Sequence, residues 1–390
     1  MTSASTADDT IWAMGMMCGT SMDGVDAAML LTDGVEIEAF GPSLELTPAY
    51  NAVQRALLKR VMASEARGGA TADDLDRASR AVTDIHLAAI TALRARLDVD
   101  AALIGFHGQT VFHDPEAGRT VQIGEAQRLA DHTDLPVMAD FRSADMVAGG
   151  EGAPLAPFFH FALAKHIEAR EPVAFLNIGG VANVTWVDPR KSTPEDDGAL
   201  VAFDTGPGNA LINDWMARHT GKPLDRDGAA AAEGQVAEDR LHQNATDAYV
   251  ARCPPKSLDR NTFALAGERM AGLSPEDGAA TLTALTVRTI AASVAHMPHP
   301  PSRWLVCGGG RHNPVMMRML ADALDAPVEP VEATGLDGDM LEAQAFAYLA
   351  VRSRRGLPLS APGTTGCNVP VTGGVLSVPR HPHRELPSGF

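Results

Sequence analysis

The stretch Met14–Asp26, M-G-M-M-C-G-T-S-M-D-G-V-D, leaves few choices for the chain around it. An apolar run, Ile11 to Met17 with Gly15 inside it, leads into a patch of Gly, Thr, Ser and Asp. A second apolar run, Val25 to Leu31, follows at once. Two apolar runs joined by turn formers read as strand, tight hairpin and strand. Gly19 and Gly24 permit φ > 0 and the close approach of a ligand. Thr20 and Ser21 add hydroxyls, and the N–H groups of such a turn can form an anion-binding nest. Asp23 and Asp26 stand at its rim. A carboxylate repels a phosphate unless Mg²⁺ lies between them, and Mg²⁺ prefers such oxygen ligands. The stretch is therefore either a phosphate-and-magnesium hairpin opening an α/β domain or an ordinary Asx-rich turn.

Composition bounds the rest. The 390 residues are 45% hydrophobic, enough for a large core, and the length favours two domains. A net charge of -17 and a pI of about 5.1 argue against a nucleic-acid or acidic-membrane partner, since a phosphate backbone needs a basic face. They do not exclude ATP, which Gly loops and Mg²⁺ hold locally. Cys18, Cys253, Cys307 and Cys367 are far apart and form no CxxC motif, a pattern that fits free thiols in a reducing cytosol. The polar, acidic Thr2–Thr10 segment lacks the basic and apolar regions of a signal peptide. No uninterrupted apolar run reaches the roughly 18 residues of a membrane span. The expected location is cytoplasmic.

Along the chain, strands are expected at Val35–Phe40 and Ser43–Leu46, and helices from Ala49 to about Ser64 and after Thr71. The second helix carries Val82, Ile85, Ala89, Leu93 and Leu97 at three-to-four spacing. A buried strand, Ala101–Phe106, delivers His107, Gly108, Gln109 and Thr110 to its C-terminal end, where open α/β sheets place ligands. Another strand, Pro136–Ala139, ends in Asp140, Phe141 and Arg142. The Gly- and Pro-rich Ala148–Pro157 suggests a domain boundary. The plan then restarts: strand Val173–Ile178, turn Gly179-Gly180, strand Val181–Val187. Gly-rich hairpins thus recur about 160 residues apart. Residues 229–251 read as mostly helical, Thr281–Met297 and Leu341–Arg352 as helices. No helical period follows Pro358, and Pro379–Phe390 reads as a mobile end. The expected domains are residues 1–147 with about 340–390, and residues 148–339.

Several groups carry candidate chemistry. Asp204 follows an apolar strand and precedes Thr205-Gly206-Pro207-Gly208-Asn209, so it is either a general base reaching into a cleft or a cap for the next helix. Gly179 and Gly180, with Asn183, offer backbone donors at a second hairpin, or form a plain β-turn. Gly308, Gly309 and Gly310 lie between a buried strand and a helix at Asn313, where a phosphate or adenosine can dock. His107 and His113 flank Gln109 and Thr110; a metal site there lacks a third ligand, which leaves substrate hydrogen bonding or a structural role. Glu342 is the only carboxylate in the apolar segment Met340–Ala350 and either faces solvent or contacts substrate. Gly221-Lys222 lacks the rest of a Walker A loop, and no set of protein-kinase loops is present.

Taken in order, these motifs resemble the anhydro-N-acetylmuramic acid kinase family of the actin, Hsp70 and hexokinase superfamily. The resemblance rests on Gly15–Asp26, Gly105–Thr110, Asn177–Asn183, Phe203–Asn209, Cys307–Gly310 with Asn313, and Glu342–Ala347. Each motif is weak alone; the ordered set, spanning about residues 14 to 350, is specific. It implies an α/β fold of two actin-like (ribonuclease H-like) domains around a central cleft, with ATP and Mg²⁺ at its base. It implies that water opens the 1,6-anhydro ring of anhydro-N-acetylmuramic acid at C1 and that ATP phosphorylates the O6 released, in cell-wall recycling. Asp204 would activate the water. The loop Gly19, Thr20, Ser21, Met22, Asp23, Gly24, Val25 and Asp26 would bind ATP, with Asp23 also a metal ligand. Gly179, Gly180, Asn183, Gly308, Gly309, Gly310 and Asn313 would complete the nucleotide site. His107, Gln109, Thr110 and Glu342 would face the sugar. A homodimer is compatible with the family. Cys18 stands where Ser is common, Asn213 where Asp is common, and Leu258-Asp259-Arg260-Asn261 replaces a T-G-R-E run.

Other functions predict other features. An actin-fold kinase for another sugar or polyol would share every motif and differ in the acceptor. A non-catalytic ATP-dependent clamp would carry an appended binding domain. A sugar-sensing regulator would need a DNA-binding segment. Neither addition is read in this sequence.

Overall fold

The N-terminal hairpin forms as expected, in a computed structural model that describes residues 10–19, 22–45, 48–241, 244–258, 263 and 267–381. The strands are β1 (Ile11–Met17), β2 (Asp26–Thr32), β3 (Ile37–Leu44), β4 (Leu103–Phe106), β5 (Gln109–Asp114), β6 (Arg119–Ile123), β7 (Val137–Ala139), β8 (Val173–Ile178), β9 (Val181–Val187), β10 (Leu200–Pro207), β11 (Trp304–Cys307), β12 (Val328–Pro330) and β13 (Val375–Ser377). The chain divides into two units, Met1–His166 with Met340–Phe390, and Ile167–Asp339.

The first unit holds a six-stranded sheet in the order β13-β7-β4-β1-β2-β3. β1, β2 and β3 form an antiparallel meander; β4 runs parallel to β1, and β7 parallel to β4. The second unit holds a sheet in the order β10-β9-β8-β11-β12, with β8, β9 and β10 antiparallel and β11 and β12 parallel to β8. The same plan, three meander strands and then parallel strands reached through helices, occurs twice. This is the two-domain α/β, actin-like class. The β1–β2 and β8–β9 hairpins open the two sheets at equivalent places.

Helix Ala72–Arg94 starts where Thr71 accepts from the Asp74 N–H and buries Val82, Ile85, Ala89 and Leu93, the stripe visible in the sequence. Helix Leu341–Arg354 is buried on nearly every side and lies across β1, β2 and β4. Gly15 and Gly105, register partners on β1 and β4, allow this crossing. A Cβ on Gly15 would stand 1.9 Å from the Ala343 carbonyl oxygen, and one on Gly105 2.1 Å from that of Phe346. In the second unit, helix Pro275–Ala292 runs through the core and continues as a 3₁₀ turn to His296. By length and composition this 22-residue segment passes for a membrane span, although no uninterrupted apolar run does; 67% of its apolar window is packed inside the unit. Thr281 and Thr283 are compatible with burial because they bond back along the helix, to Asp277 O (2.6 Å) and Ala279 O (2.8 Å).

Several expectations need correction. β3 is one strand, with an irregularity opposite Gly41-Pro42, where two strands were expected. Residues 229–251 are mostly helical, as expected, in three pieces, Ala229–Glu233, Glu238–Leu241 and Asn244–Val250. At the first break a Cβ on Gly234 would meet Glu276 O at 2.1 Å, so the chain passes helix Pro275–Ala292 too closely to stay helical. The units divide at His166–Ile167, not after residue 147. Helix Pro157–His166 packs in the first unit, with Phe159 against Tyr348 (5.6 Å) and Phe158 beneath the Arg352 guanidinium (5.1 Å). Beyond Pro358 the chain is not featureless: it forms helix Pro362–Thr365 and adds β13 to the sheet. Of the expected mobile end, Arg380 donates its N–H to Asp131 (2.9 Å), and residues 382–390 lie outside the described residues.

Candidate functional site

In the first hairpin the turn is closed by the Met22 N–H on Gly19 O (3.1 Å), with Met22 at φ +59°. Met22 and Val25 are buried in the core, so they offer a ligand backbone only. Asp23 is exposed and Asp26 partly buried, while Thr20 and Ser21 lie outside the described residues. The loop is braced from below. The Gln109 side-chain amide donates to Gly19 O (3.3 Å), and its Oε1 accepts from the Cys18 thiol (3.0 Å). Gln109 has no exposed surface, so it supports the hairpin rather than facing a sugar. Burial pushes the Cys18 pKa up to about 12, which keeps the thiol protonated as a donor. Thr110 is partly buried and accepts from Gln122 (3.1 Å).

His107, at the C-terminal end of β4, is buried between two partners. Its Nδ1 lies 2.9 Å from Gly108 O, and its Nε2 accepts from the Arg142 guanidinium at 2.9 and 3.1 Å. Only the neutral ring protonated on Nδ1 satisfies both contacts. Burial, and then the Arg142 charge, hold its pKa well below the ordinary histidine value. Arg142 also donates to Gly152 O (2.7 Å). Burial brings the Arg142 pKa down to about 10, against the pull of Glu342 and Asp145. Asp145 is buried and accepts from the Gly152 N–H (2.7 Å), the Thr365 hydroxyl (2.6 Å) and the Ser360 hydroxyl. Glu342 reaches solvent at the start of its helix. Protein crowds its carboxyl enough that desolvation raises its pKa, against the lowering effect of Arg142. The first unit therefore gathers His107, Arg142, Asp145 and Glu342. His113 instead contacts Thr120 (3.1 Å), and among the described residues no group of three His, Cys, Asp or Glu is placed to hold a metal.

In the second unit the glycine motifs meet. Gly208 and Asn209 donate their N–H groups to Gly180 O (3.0 Å) and Gly179 O (2.8 Å), and the Asn209 side chain donates to Ile178 O (3.0 Å). The Thr286 hydroxyl, from the core helix, holds Gly208 O (3.1 Å). Gly308, at φ +71°, sits where a Cβ would be 2.2 Å from the Asn177 side-chain oxygen. Register places Asp204, Asn183, Asn177 and Cys307 in one row across β10, β9, β8 and β11. Directly paired residues share a face, so this row presents a carboxylate and two amides together. Asp204 is held at both ends of its backbone, and its Oδ2 accepts from the Leu258 N–H (2.7 Å). Asn313 caps helix Pro314–Ala323 by accepting from Val315 and Met316 N–H groups (both 3.0 Å). Its side chain is thus committed to the fold.

A sequence model described as anhydro-N-acetylmuramic acid kinase matches residues 11–379. The chain belongs to the anhydro-N-acetylmuramic acid kinase family. It is 52% identical over 367 residues to the anhydro-N-acetylmuramic acid kinase of Ruegeria sp. (strain TM1040), covering 94% of this chain and 95% of the relative. It is 50% identical over 379 residues to that of Roseobacter denitrificans, covering 97% of both. Among solved structures it is similar to the activator of the 2-hydroxyisocaproyl-CoA dehydratase from Clostridium difficile with bound ADPNP. That match has a TM-score of 0.44 and 11% identity, and covers 87% of this chain and 94% of the other. A ROK family glucokinase from Streptomyces griseus, in complex with glucose and AMPPNP, matches with a TM-score of 0.40, 12% identity, and 87% and 99% coverage.

Two residues of this member of the anhydro-N-acetylmuramic acid kinase family escaped the sequence reading. Arg142 was visible only as the last of three residues after a strand. Arg311 follows the three glycines and is almost wholly buried. It donates to Gly308 O (3.0 Å) and Glu332 (2.8 Å), and pairs with Asp339 (2.7 Å), so it anchors the glycine loop. The charge after a glycine run was the available signal; its carboxylate partners, Glu332 and Asp339, are too distant in sequence to be paired with it.

Proposed function

We propose that the protein is an ATP-dependent kinase that opens 1,6-anhydro-N-acetylmuramic acid with water and phosphorylates the sugar, giving N-acetylmuramic acid 6-phosphate and ADP in cell-wall recycling. The observation that carries this reading is Asp204. Its carboxylate stands inside β10, which runs on to Pro207 past an irregularity after Asp204, and it is held by Leu258 in register with Asn183 and next to the stitched glycine turns. In the reaction Asp204 takes a proton from water as the water oxygen bonds to C1. The C1–O6 bond breaks. O6 then bonds to the γ-phosphorus as the bond to the β–γ bridging oxygen breaks, and the proton passes to solvent.

The glycines support a nucleotide here. Gly180 and Gly309 are exposed, and the nearest atoms to an added Cβ are 3.7 and 3.8 Å away; for Gly179 the nearest is 3.5 Å. Nothing in the fold itself requires glycine at these three positions, whereas close approach of phosphates to the backbone would. We assign the nucleotide to them, to Asn183 and to the Gly19–Asp26 loop. Mg²⁺, when bound, neutralises charge on the phosphates, and Asp23 is the exposed carboxylate we assign to it. We assign the sugar to Glu342, Thr110 and the Arg142–His107 pair, and the reaction to the cytoplasm.

The test is an ADP-release assay with ATP, Mg²⁺ and the anhydro sugar, with the product weighed. A product heavier than the sugar by one phosphate and one water is expected. Gain of phosphate alone would remove the water-activating role. Asp204→Asn is expected to keep ATP affinity and to lose about 10²–10⁴-fold in kcat.

A further inference from the structure

One short stretch of chain braces Asp204 on three sides. The Tyr249 hydroxyl donates to the Asp204 carbonyl (2.8 Å), the Asp204 N–H donates to Lys256 O (3.0 Å), and the Leu258 N–H donates to Oδ2 (2.7 Å). Lys256 gathers this stretch. The residue is only 3% exposed, and its Nζ donates to Val250 O (3.1 Å) and Tyr249 O (3.3 Å), at the end of helix Asn244–Val250. The same ammonium lies 4.9 Å from the centre of the Tyr249 ring and 5.3 Å from that of Phe203, the residue before Asp204. His296 reaches Val250 O as well (2.7 Å) and meets Phe203 edge-on.

Burying a lysine is costly, and an apolar side chain would fill the space between two rings at less cost. The ammonium differs from such a side chain in one respect: it holds two carbonyls and two ring faces at fixed distances at once. The ring and carbonyl of Tyr249 belong to a residue that braces Asp204, and the other two groups to its chain neighbour Val250 and to Phe203, the residue before Asp204. We propose that Lys256 is a positioning residue for the reaction, tying the Tyr249–Leu258 stretch to Phe203 so that the Asp204 carboxylate keeps one orientation. The proposal rests on Asp204 acting as the base.

A misplacement of about 1 Å at a reacting group costs about 10²-fold. Lys256→Met in the full chain is therefore expected to lower kcat about 10- to 100-fold, with KM for ATP and for the anhydro sugar changed by less than about threefold. Lys256→Arg, which keeps the charge, is expected to recover part of kcat. Tyr249→Phe removes only the hydroxyl that holds the Asp204 carbonyl. It is expected to lower kcat about 3- to 10-fold with an unchanged melting temperature, and it decides the matter if Lys256→Met does not fold. A folded Lys256→Met with normal kcat, or Tyr249→Phe with normal kcat, would overturn the proposal. Near-normal turnover in Asp204→Asn would instead defeat the assignment of the base itself, whatever Lys256 does.

Discussion

Gly308 and Gly309 are neighbours that are glycine for different reasons. Gly308 has a left-handed backbone and no room for a Cβ beside Asn177, while Gly309 is exposed and a Cβ there would come no nearer than 3.8 Å to another residue, Asn209. Gly308→Ala is expected to destabilise the second unit by about 1–3 kcal/mol, read from a denaturation midpoint. Gly309→Ala is expected to leave the melting temperature unchanged and to raise KM for ATP about tenfold, because the methyl group meets the approaching phosphates. An unchanged KM would take this loop out of the nucleotide site. The sequence shows such glycines only as a run. It likewise shows Gln109 and Asn313 as polar residues beside glycine loops, without showing that one braces a hairpin and the other caps a helix. Those uses depend on the direction of a side chain, which spacing does not encode.

At the scale of elements, helix Leu341–Arg354 and the strands it covers form one unit of packing. Gly15 and Gly105 sit side by side under Ala343 and Phe346. Gly105→Ala is expected to cost about 1–3 kcal/mol, because the added methyl meets backbone that cannot move without lifting the helix. Urea unfolding followed by fluorescence checks this, and an unchanged midpoint would mean that the helix can shift without cost. The alanine-rich segment Glu342–Ala347 is legible in the sequence as a motif. Its partner surface is not, because it belongs to strands at the other end of the chain. The same limit explains the broken helices over 229–251. Local propensity favours a continuous helix, but the close passage of Gly234 past Glu276 decides against it.

For the whole molecule, acid should act first on one unit. His86 and His160 are buried in the first unit, and desolvation holds their pKa values near about 4 and about 3. In the unfolded chain each returns to about 6.5. Between these values the unfolded chain binds protons that the folded chain excludes, so stability is full above about pH 6.5 and falls as pH drops toward 4. Each histidine contributes up to about 1.4 kcal/mol per pH unit within that window. Amide protection in the first unit is expected to fall before that of the second as pH is lowered, and His86→Leu should flatten the slope. A slope unchanged in that variant would show that His86 is protonated in the folded state.

The two Gly-rich hairpins, the repeated strand–turn–strand plan and, through the order of the motifs, the family are legible in the residues alone. These are local: a hairpin's strands and turn are neighbours along the chain, and their pattern survives without knowledge of anything distant. That helix Pro157–His166 joins the first unit emerges only in the folded chain. Only there do Arg142 meet His107, Arg311 anchor the glycine loop, and Lys256 lie against the ring that precedes Asp204. The burial of that helix, and the pairing of Arg142 with His107, of Arg311 with Glu332 and Asp339, and of Lys256 with Phe203, join parts of the chain that are far apart; shape and desolvation in the folded core make these choices, and none has a period that a sequence can display.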